Sequence, residues 1–265
     1  MKPLQFFGSG FNAFWKAVPF IFKHKLGWTF TIPIAMTIAI LWGGWEFASW
    51  ASDTVTNYIL QYTALDKADF LFADTLRLLT KGFLWVVLKF LITISVSFVS
   101  GYLVLILLSP ILTFVSGKTE EILTGKSYNS DFRQFVHDVS RGIVIAIRNM
   151  FYELMLNILL FISFIIPVVG QFLLIFSPLI LFLISSYFYG FAFIDYYNER
   201  RQYTIRQSVR FVRANAGIAL SIGSLFYLFF KIPFIGSIAG GLAAIVASVA
   251  ATIAIYNASQ KQLSA

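Results

Sequence analysis

The sequence predicts an all-α integral membrane protein: two long transmembrane helices followed by two hemi-penetrating helical hairpins, in one membrane domain over residues 1–265. Three observations carry this. Of the 265 residues 58% are hydrophobic, 30 are Phe and only 12% are charged, whereas a soluble domain sits near half apolar with about a quarter charged. The apolar runs are continuous, which suits helices; a closed barrel needs short segments of alternating polarity. Two of the runs are also broken at their middles by one phrase, "FIIPVVG" at 164–170 and "FKIPFIG" at 230–236.

The first long apolar run begins only near Trp28, without a small-residue cleavage site after it, and reads as a retained anchor. Residues 28–50 form the first span, with Trp28, Trp42, Trp45 and Trp50 toward its ends as interfacial aromatics. Residues 51–80 are polar and mildly acidic. Residues 83–112 form the second span, and 30 residues at about 1.5 Å each exceed a ~30 Å hydrocarbon core, so this helix tilts or projects into water. The mixed segment 113–150 follows, with a turn at "SYNSDF" (127–132) and Ser130 or Asp131 as helix cap. The hairpins occupy 154–194 and 218–256, separated by the basic segment "ERRQYTIRQSVRFVR" (199–213).

Lys and Arg counts set orientation. The first 27 residues carry four cations and no acid, 51–80 carries two against four acids, and 113–150 and 195–216 carry five each. The N-terminus, the two later segments and the C-terminus therefore share the cytoplasmic side. Each broken run starts and ends there, so each turns around. Pro ends a helix and Gly supplies a permissive backbone for the return, which makes Pro167, Gly170, Pro233 and Gly236 the tips. The ascending arms 154–166 and 218–230 reach about 20 Å, short of a crossing. Six full spans would carry the same loop charges. Turns at membrane depth need protein or a water-filled cavity around them, so a homo-oligomer is expected. Asn149 and Asn215 precede the two hairpins at one offset, which suggests a weak internal repeat.

Several stretches together resemble the CysZ-type sulfate permease family, which includes the eukaryotic etoposide-induced membrane proteins. They are "FGSGFNAFWKAV" before the first span, "SPILTFVSGKTEEILTG" (109–125), "IIPVVGQ" (165–171), "FAFIDYY" (191–197) and "AGIALSIGSLFYLFFKIPFIGSIAG" (216–240). Their order and spacing, from about residue 8 to 256, carry the likeness. It implies sulfate uptake across a bacterial inner membrane for sulfur assimilation, two spans plus two hemi-penetrating hairpins, and oligomers. Two positions depart from the pattern. Where the family has Gly-Leu/Ile-Arg before the first span, this chain has Lys25-Leu26-Gly27, so Gly27 stands at the Arg position. Gly117 stands where many members have an acid, while Glu120 and Gly125 fit.

Four sets of residues are candidates. Lys23, Lys25 and Gly27 lie at the start of the first span, where free N–H groups and cations suit an oxyanion; plain topogenic charge is the alternative. Arg206, Arg210 and Arg213 share one helix face, for anionic lipid or for a vestibule that concentrates anions. Lys231 lies beside the second tip, and Glu46, Lys89, Asn157 and Gln171 are further polar residues in apolar runs. Gly236, Gly240, Ala244, Ser248 and Thr252 form a small-residue line for helix packing. There is no cysteine, no metal-ligand spacing around the two histidines, and no nucleotide-binding or catalytic motif. No cofactor is expected, and the +8 charge is explained by membrane topology without nucleic acid. The functional expectation is a sulfate or related-anion permease; a membrane-organising scaffold on the same fold is the alternative, and a lipid-modifying enzyme fits less well for want of a catalytic set.

Overall fold

The computed structural model describes residues 3–62, 73–126, 132–232 and 235–263. Among the described residues every regular element is helical: α1 (Pro3–Lys23), a 3-10 turn (Gly27–Phe30), α2 (Thr31–Tyr62), α3 (Ala73–Thr124), α4 (Phe132–Ser163), α5 (Val169–Glu199), α6 (Ile205–Ala214), α7 (Ala216–Phe230) and α8 (Gly236–Leu263). Helices long and apolar enough to cross a membrane lie at Gly101–Thr124, Phe132–Ser163, Gly170–Glu199 and Ile238–Gln260, with a fifth if α6 and α7 count as one span. The all-α membrane class is thus borne out, with longer helices than the apolar runs suggested. The second span expected at 83–112 is the middle of α3, and most of 113–150 is helix. The helix start after "SYNSDF" falls at Phe132; its proposed caps Ser130 and Asp131 lie outside the described residues, as does Pro233.

The chain divides into two compact units, residues 36–101 and the remainder. In the smaller, Lys89 donates to Ser49 Oγ at 3.2 Å and lies 4.2 and 4.4 Å from the Trp45 and Trp85 ring centroids. Lys89 is therefore held between two aromatic faces. Trp85 in turn donates to Asp53 at 2.9 Å, while Glu46 is exposed.

In the larger unit α1 is an element that the sequence reading did not resolve. Gly10, Ala13, Phe14, Ala17 and Ile21 are buried, a helical spacing that makes one face. That face packs on α7 and α8, with Phe14 stacked on Phe229 at 6.1 Å. Phe7, Phe11 and Trp15 stay exposed on another face.

The repeated phrase builds the same local geometry twice. A Cβ on Gly170 would lie 2.4 Å from the Phe164 carbonyl oxygen, and one on Gly236 would lie 2.2 Å from that of Phe230. Both glycines serve close approach of the returning helix to the carbonyl six residues earlier. This corrects the expected role at the first tip: the positive φ falls on Val168 (φ 65°, ψ −59°), a strained conformation for a β-branched residue, and not on Gly170.

The two hairpins differ in their ascending arms. α4 is one continuous 32-residue helix, which corrects the 13-residue arm expected at 154–166. α7 has 15 residues and meets α6 at 88°. The bend falls beside Asn215, whose counterpart Asn149 lies mid-helix in α4. Beyond Arg148, however, α4 runs only from Asn149 to Ser163, about 22 Å and equal to α7. Cysteines introduced at Val168 and Ile235, both exposed on the protein, are therefore expected to react weakly with an impermeant reagent from the side that labels a cysteine at Tyr58. Full labelling at both would establish six spans.

The small-residue line on α8 packs inside the chain. Gly240 faces the Phe230 side chain, Ser248 donates to the Leu112 carbonyl at 3.1 Å, and Thr252 shares a 2.8 Å hydrogen bond with Ser116. It is thereby occupied by α7 and α3.

Candidate functional site

α4 carries a buried polar face. Asp138, Gly142, Ile145, Ala146, Asn149, Glu153, Asn157 and Leu160 are its buried residues, recurring every three or four positions as one helical stripe. Val144, Ile147, Phe151, Met155 and Ile158 are exposed and apolar on the other side. The helix thus presents hydrocarbon outward and amides and carboxylates inward, the reverse of a soluble helix.

Glu153 is the centre of the upper part. It is 1% exposed and accepts from Tyr102 of α3 on one oxygen and from Ser185 of α5 at 2.5 Å on the other. Tyr102 stacks on Tyr189 at 4.9 Å, Tyr189 stacks on Tyr227 at 6.0 Å, and Lys231 Nζ lies 5.2 Å from the Tyr227 centroid. Three tyrosines thus link Glu153 to Lys231. Nearby Asn149 donates to the Phe188 carbonyl at 3.2 Å, while Asn157 Oδ1 and Ser186 Oγ are buried without a protein partner.

The lower part is charge-rich. Arg141 Nη2 donates to Asp195 Oδ1 at 3.3 Å and Nε to Oδ2 at 3.4 Å, with Ser208 also donating to Asp195. Arg200 contacts Glu120 at 2.7 Å, Ser116 at 3.1 Å and the Tyr196 carbonyl at 2.7 Å, and Arg201 reaches the second Glu120 oxygen at 2.9 Å. A cleft of about 260 Å³ opens beside these pairs, lined by Thr113, Gly117, Lys118, Asp138 and Arg200 among others. The segment 109–125 is thus the hub that ties α3 to α5 and α8. A Cβ at Gly117 would lie 3.9 Å from Arg200 Cδ, so an acid there has an arginine within reach. Gly125 ends α3 at φ 67° and donates to the Glu121 carbonyl at 2.9 Å, the left-handed cap that glycine favours.

The sequence-predicted residues are scattered around this unit. Lys23 ends α1 and is exposed; Lys25 is exposed with φ 57°; Gly27 opens the 3-10 turn that leads into α2. Lys231 caps the end of α7. Arg206, Arg210 and Arg213 are exposed on α6, whose start is fixed by the reciprocal Thr204–Gln207 capping box. No hydrogen bond or ion pair joins Lys23 or Lys25 to Lys231 or to α6 among the described residues. Glu153 and its partners were missed. The signal for them was present, since Asn149, Glu153 and Asn157 recur at four-residue steps in an apolar run. Among the described residues no group of three His, Cys, Asp or Glu gathers as a metal site.

Comparison with known proteins places these features in a family. A family model described as sulfate transporter CysZ/etoposide-induced protein 2.4 matches residues 13–239. A curated relative, sulfate transporter CysZ of Vibrio parahaemolyticus serotype O3:K6 (strain RIMD 2210633), is 27% identical over 156 residues, covering 58% of this chain and 62% of that protein. The match therefore spans less than two thirds of the relative's length. With the fold and the polar face of α4 in view, the conclusion is that this multi-pass membrane protein belongs to the sulfate transporter CysZ/etoposide-induced protein 2.4 family.

Proposed function

We propose that the protein is an inorganic-anion permease, with sulfate as its cargo, working as a homo-oligomer in a bacterial inner membrane and feeding sulfur assimilation. The observation that carries this is the buried polar face of α4, which runs from Asp138 to Asn157 through helices that are otherwise apolar. Buried polar atoms without partners cost free energy, and Asn157 Oδ1, Ser186 Oγ and Thr113 Oγ1 are such atoms beside that face. A hydrophilic path supplies them with water or cargo; a purely structural bundle has no use for them. Family membership and the name of the Vibrio relative support sulfate as the cargo.

A dianion also needs cations along its route, because burying it unpaired is prohibitive. In this reading Arg206, Arg210 and Arg213 raise the anion concentration at the cytoplasmic face. Lys231 offsets Glu153 near the second tip, and Lys23 and Lys25 with the Gly27 backbone receive the anion before α2. The tips at Pro167, Gly170, Pro233 and Gly236 shape the membrane-depth turns, and neighbouring subunits and lipid cover them.

Sulfate uptake by the full-length protein in liposomes, run beside sulfite, selenate and chloride, tests the reading. Lys25→Ala and Lys231→Ala are each expected to lower sulfate flux several-fold, and the double change to remove it. Gly27→Arg is expected to strengthen binding, because a guanidinium fork suits a tetrahedral oxyanion better than an ammonium. Its Cβ meets only the Phe22 ring, at 3.3 Å. A well-reconstituted sample that moves no anion replaces the permease with the scaffold reading.

A further inference from the structure

α1, α7, α8 and the 3-10 turn pack on one another and leave a groove of about 490 Å³ between them. That is the size of a small-molecule site, about 300–1,000 Å³. Every residue that lines it is apolar, whereas a site for a polar ligand carries a few convergent polar groups. Phe14 and Phe229 stack at 6.1 Å on its wall. Ala239 and Ala243 of α8 line it with side chains too short to fill it, and Trp15 and Phe22 line it while remaining exposed. The groove is therefore reachable from outside the helix bundle. The charge around it has one sign: α1, the 3-10 turn, the first turns of α2, α7 and α8 contain no Asp or Glu. Phe22 and Phe30, with ring centroids 5.9 Å apart, line it where α1 gives way to the 3-10 turn. Two cations stand at that end. Lys23 follows Phe22 directly, the Lys25 N–H donates to the Phe22 carbonyl at 3.2 Å, and both lysines are exposed.

We infer that this groove holds one acyl chain of an anionic phospholipid, with the phosphate at Lys23 and Lys25. A purely apolar, accessible groove in a membrane protein takes hydrocarbon, because an empty one leaves its lining without contact partners. Lysines at a membrane surface draw anionic headgroups, and their flexible stems let the ammonium groups reach the interface. Trp15 and Phe22 at the opening are the residue types that sit at headgroup level. A chain in this position wedges between α1 and the α7–α8 pair, so the lipid holds α1 where it docks. Glu153 and the polar face of α4 take no part, since none of their residues lines the groove. The inference stands without the transport reading: Lys23 and Lys25 are shared with the proposed anion route, whereas Ala239 is not.

The test uses the full-length protein in one detergent at fixed concentration and ionic strength. Thermal midpoints and native mass are followed while a short-chain phosphatidylglycerol, the matching phosphatidylcholine or the deacylated headgroup glycerophosphoglycerol is titrated. Phosphatidylglycerol is expected to stabilise the protein saturably, phosphatidylcholine to bind roughly tenfold more weakly, and the headgroup alone not to bind. Ala239→Leu puts branched carbon into the groove. It should weaken phosphatidylglycerol binding roughly tenfold or more, while the lipid-free midpoint holds or rises because a void is filled. Lys23→Gln with Lys25→Gln lies on the surface and guards against a misfolded groove variant. That pair should weaken binding on the order of tenfold and abolish the preference over phosphatidylcholine. Leu174→Ala removes an exposed apolar side chain on α5 and should change binding less than about twofold. Equal binding of the two lipids, or unchanged binding in Ala239→Leu, overturns the site. A lipid-free dimer that Ala239→Leu dissociates assigns the groove to a second copy of the chain and likewise overturns it.

Discussion

Gly223→Ala is expected to prevent α5 and α7 from packing. The added Cβ would lie 1.7 Å from the Ser186 carbonyl oxygen and 2.7 Å from the Gly190 nitrogen. Those are backbone atoms, so no rotamer change relieves the clash. Gly190 makes the reciprocal approach, its Cβ falling 1.9 Å from the Ala219 carbonyl oxygen. The two helices therefore touch main chain to main chain, the kind of contact that small residues permit in membranes. A glycine-to-alanine change inside a helix ordinarily gains roughly 1 kcal/mol, so the sign here is reversed. The loss should exceed about 4 kcal/mol, the range reached by severe packing defects. The check is the yield of monodisperse protein and its thermal midpoint in detergent, against Gly43→Ala, where nothing lies within 4 Å. Equal behaviour of the two variants would show that the helices are not in contact at Gly223.

The second large effect is expected at Glu120. Its carboxylate is buried and holds Arg200 at 2.7 Å and Arg201 at 2.9 Å. Arg200 itself is 7% exposed. Glu120→Ala removes the carboxylate that both arginines share, and breaking a buried pair from one side costs about 3–5 kcal/mol. Changing both residues, Glu120→Met with Arg200→Met, should recover part of the loss, because a buried pair and well-packed apolar groups of like volume are often near in energy. Thermal denaturation of Glu120→Met, of Arg200→Met and of the double variant gives the coupling directly. Strict additivity would mean that the pair is not formed in the folded protein.

What was legible in the sequence was what is written in runs and periods. Continuous apolar stretches gave the helical membrane class. The repeated Pro-x-x-Gly phrase gave two breaks, whose shared geometry at Phe164/Gly170 and Phe230/Gly236 the structure bears out. Helix lengths were less legible: α3 and α4 continue into the charged segments that flank the apolar runs, so composition underestimates them. Contacts between distant segments were the least legible. Nothing local marks Gly190 and Gly223 as opposed, whereas the regular line Gly236, Gly240, Ala244, Ser248 and Thr252 is visible at once. Glu153 and Asp195 stand far apart in the sequence. The two do lie in different parts of the unit, each with its own donors.

The packing of α1 has a bearing on how the molecule is made. Its buried face, Ala13, Phe14, Ala17 and Ile21, rests on α7 and α8, which leave the ribosome about 200 residues later. At about 5–20 residues per second that interval is roughly 10–40 s. During it α1 lacks its partners α7 and α8, and its exposed aromatic residues Phe7, Phe11 and Trp15 offer the lipid interface as a place to wait. Docking of α1 is thereby tied to the synthesis of α7 and α8: a nascent chain released before these helices leaves α1 without the surface on which its buried face rests.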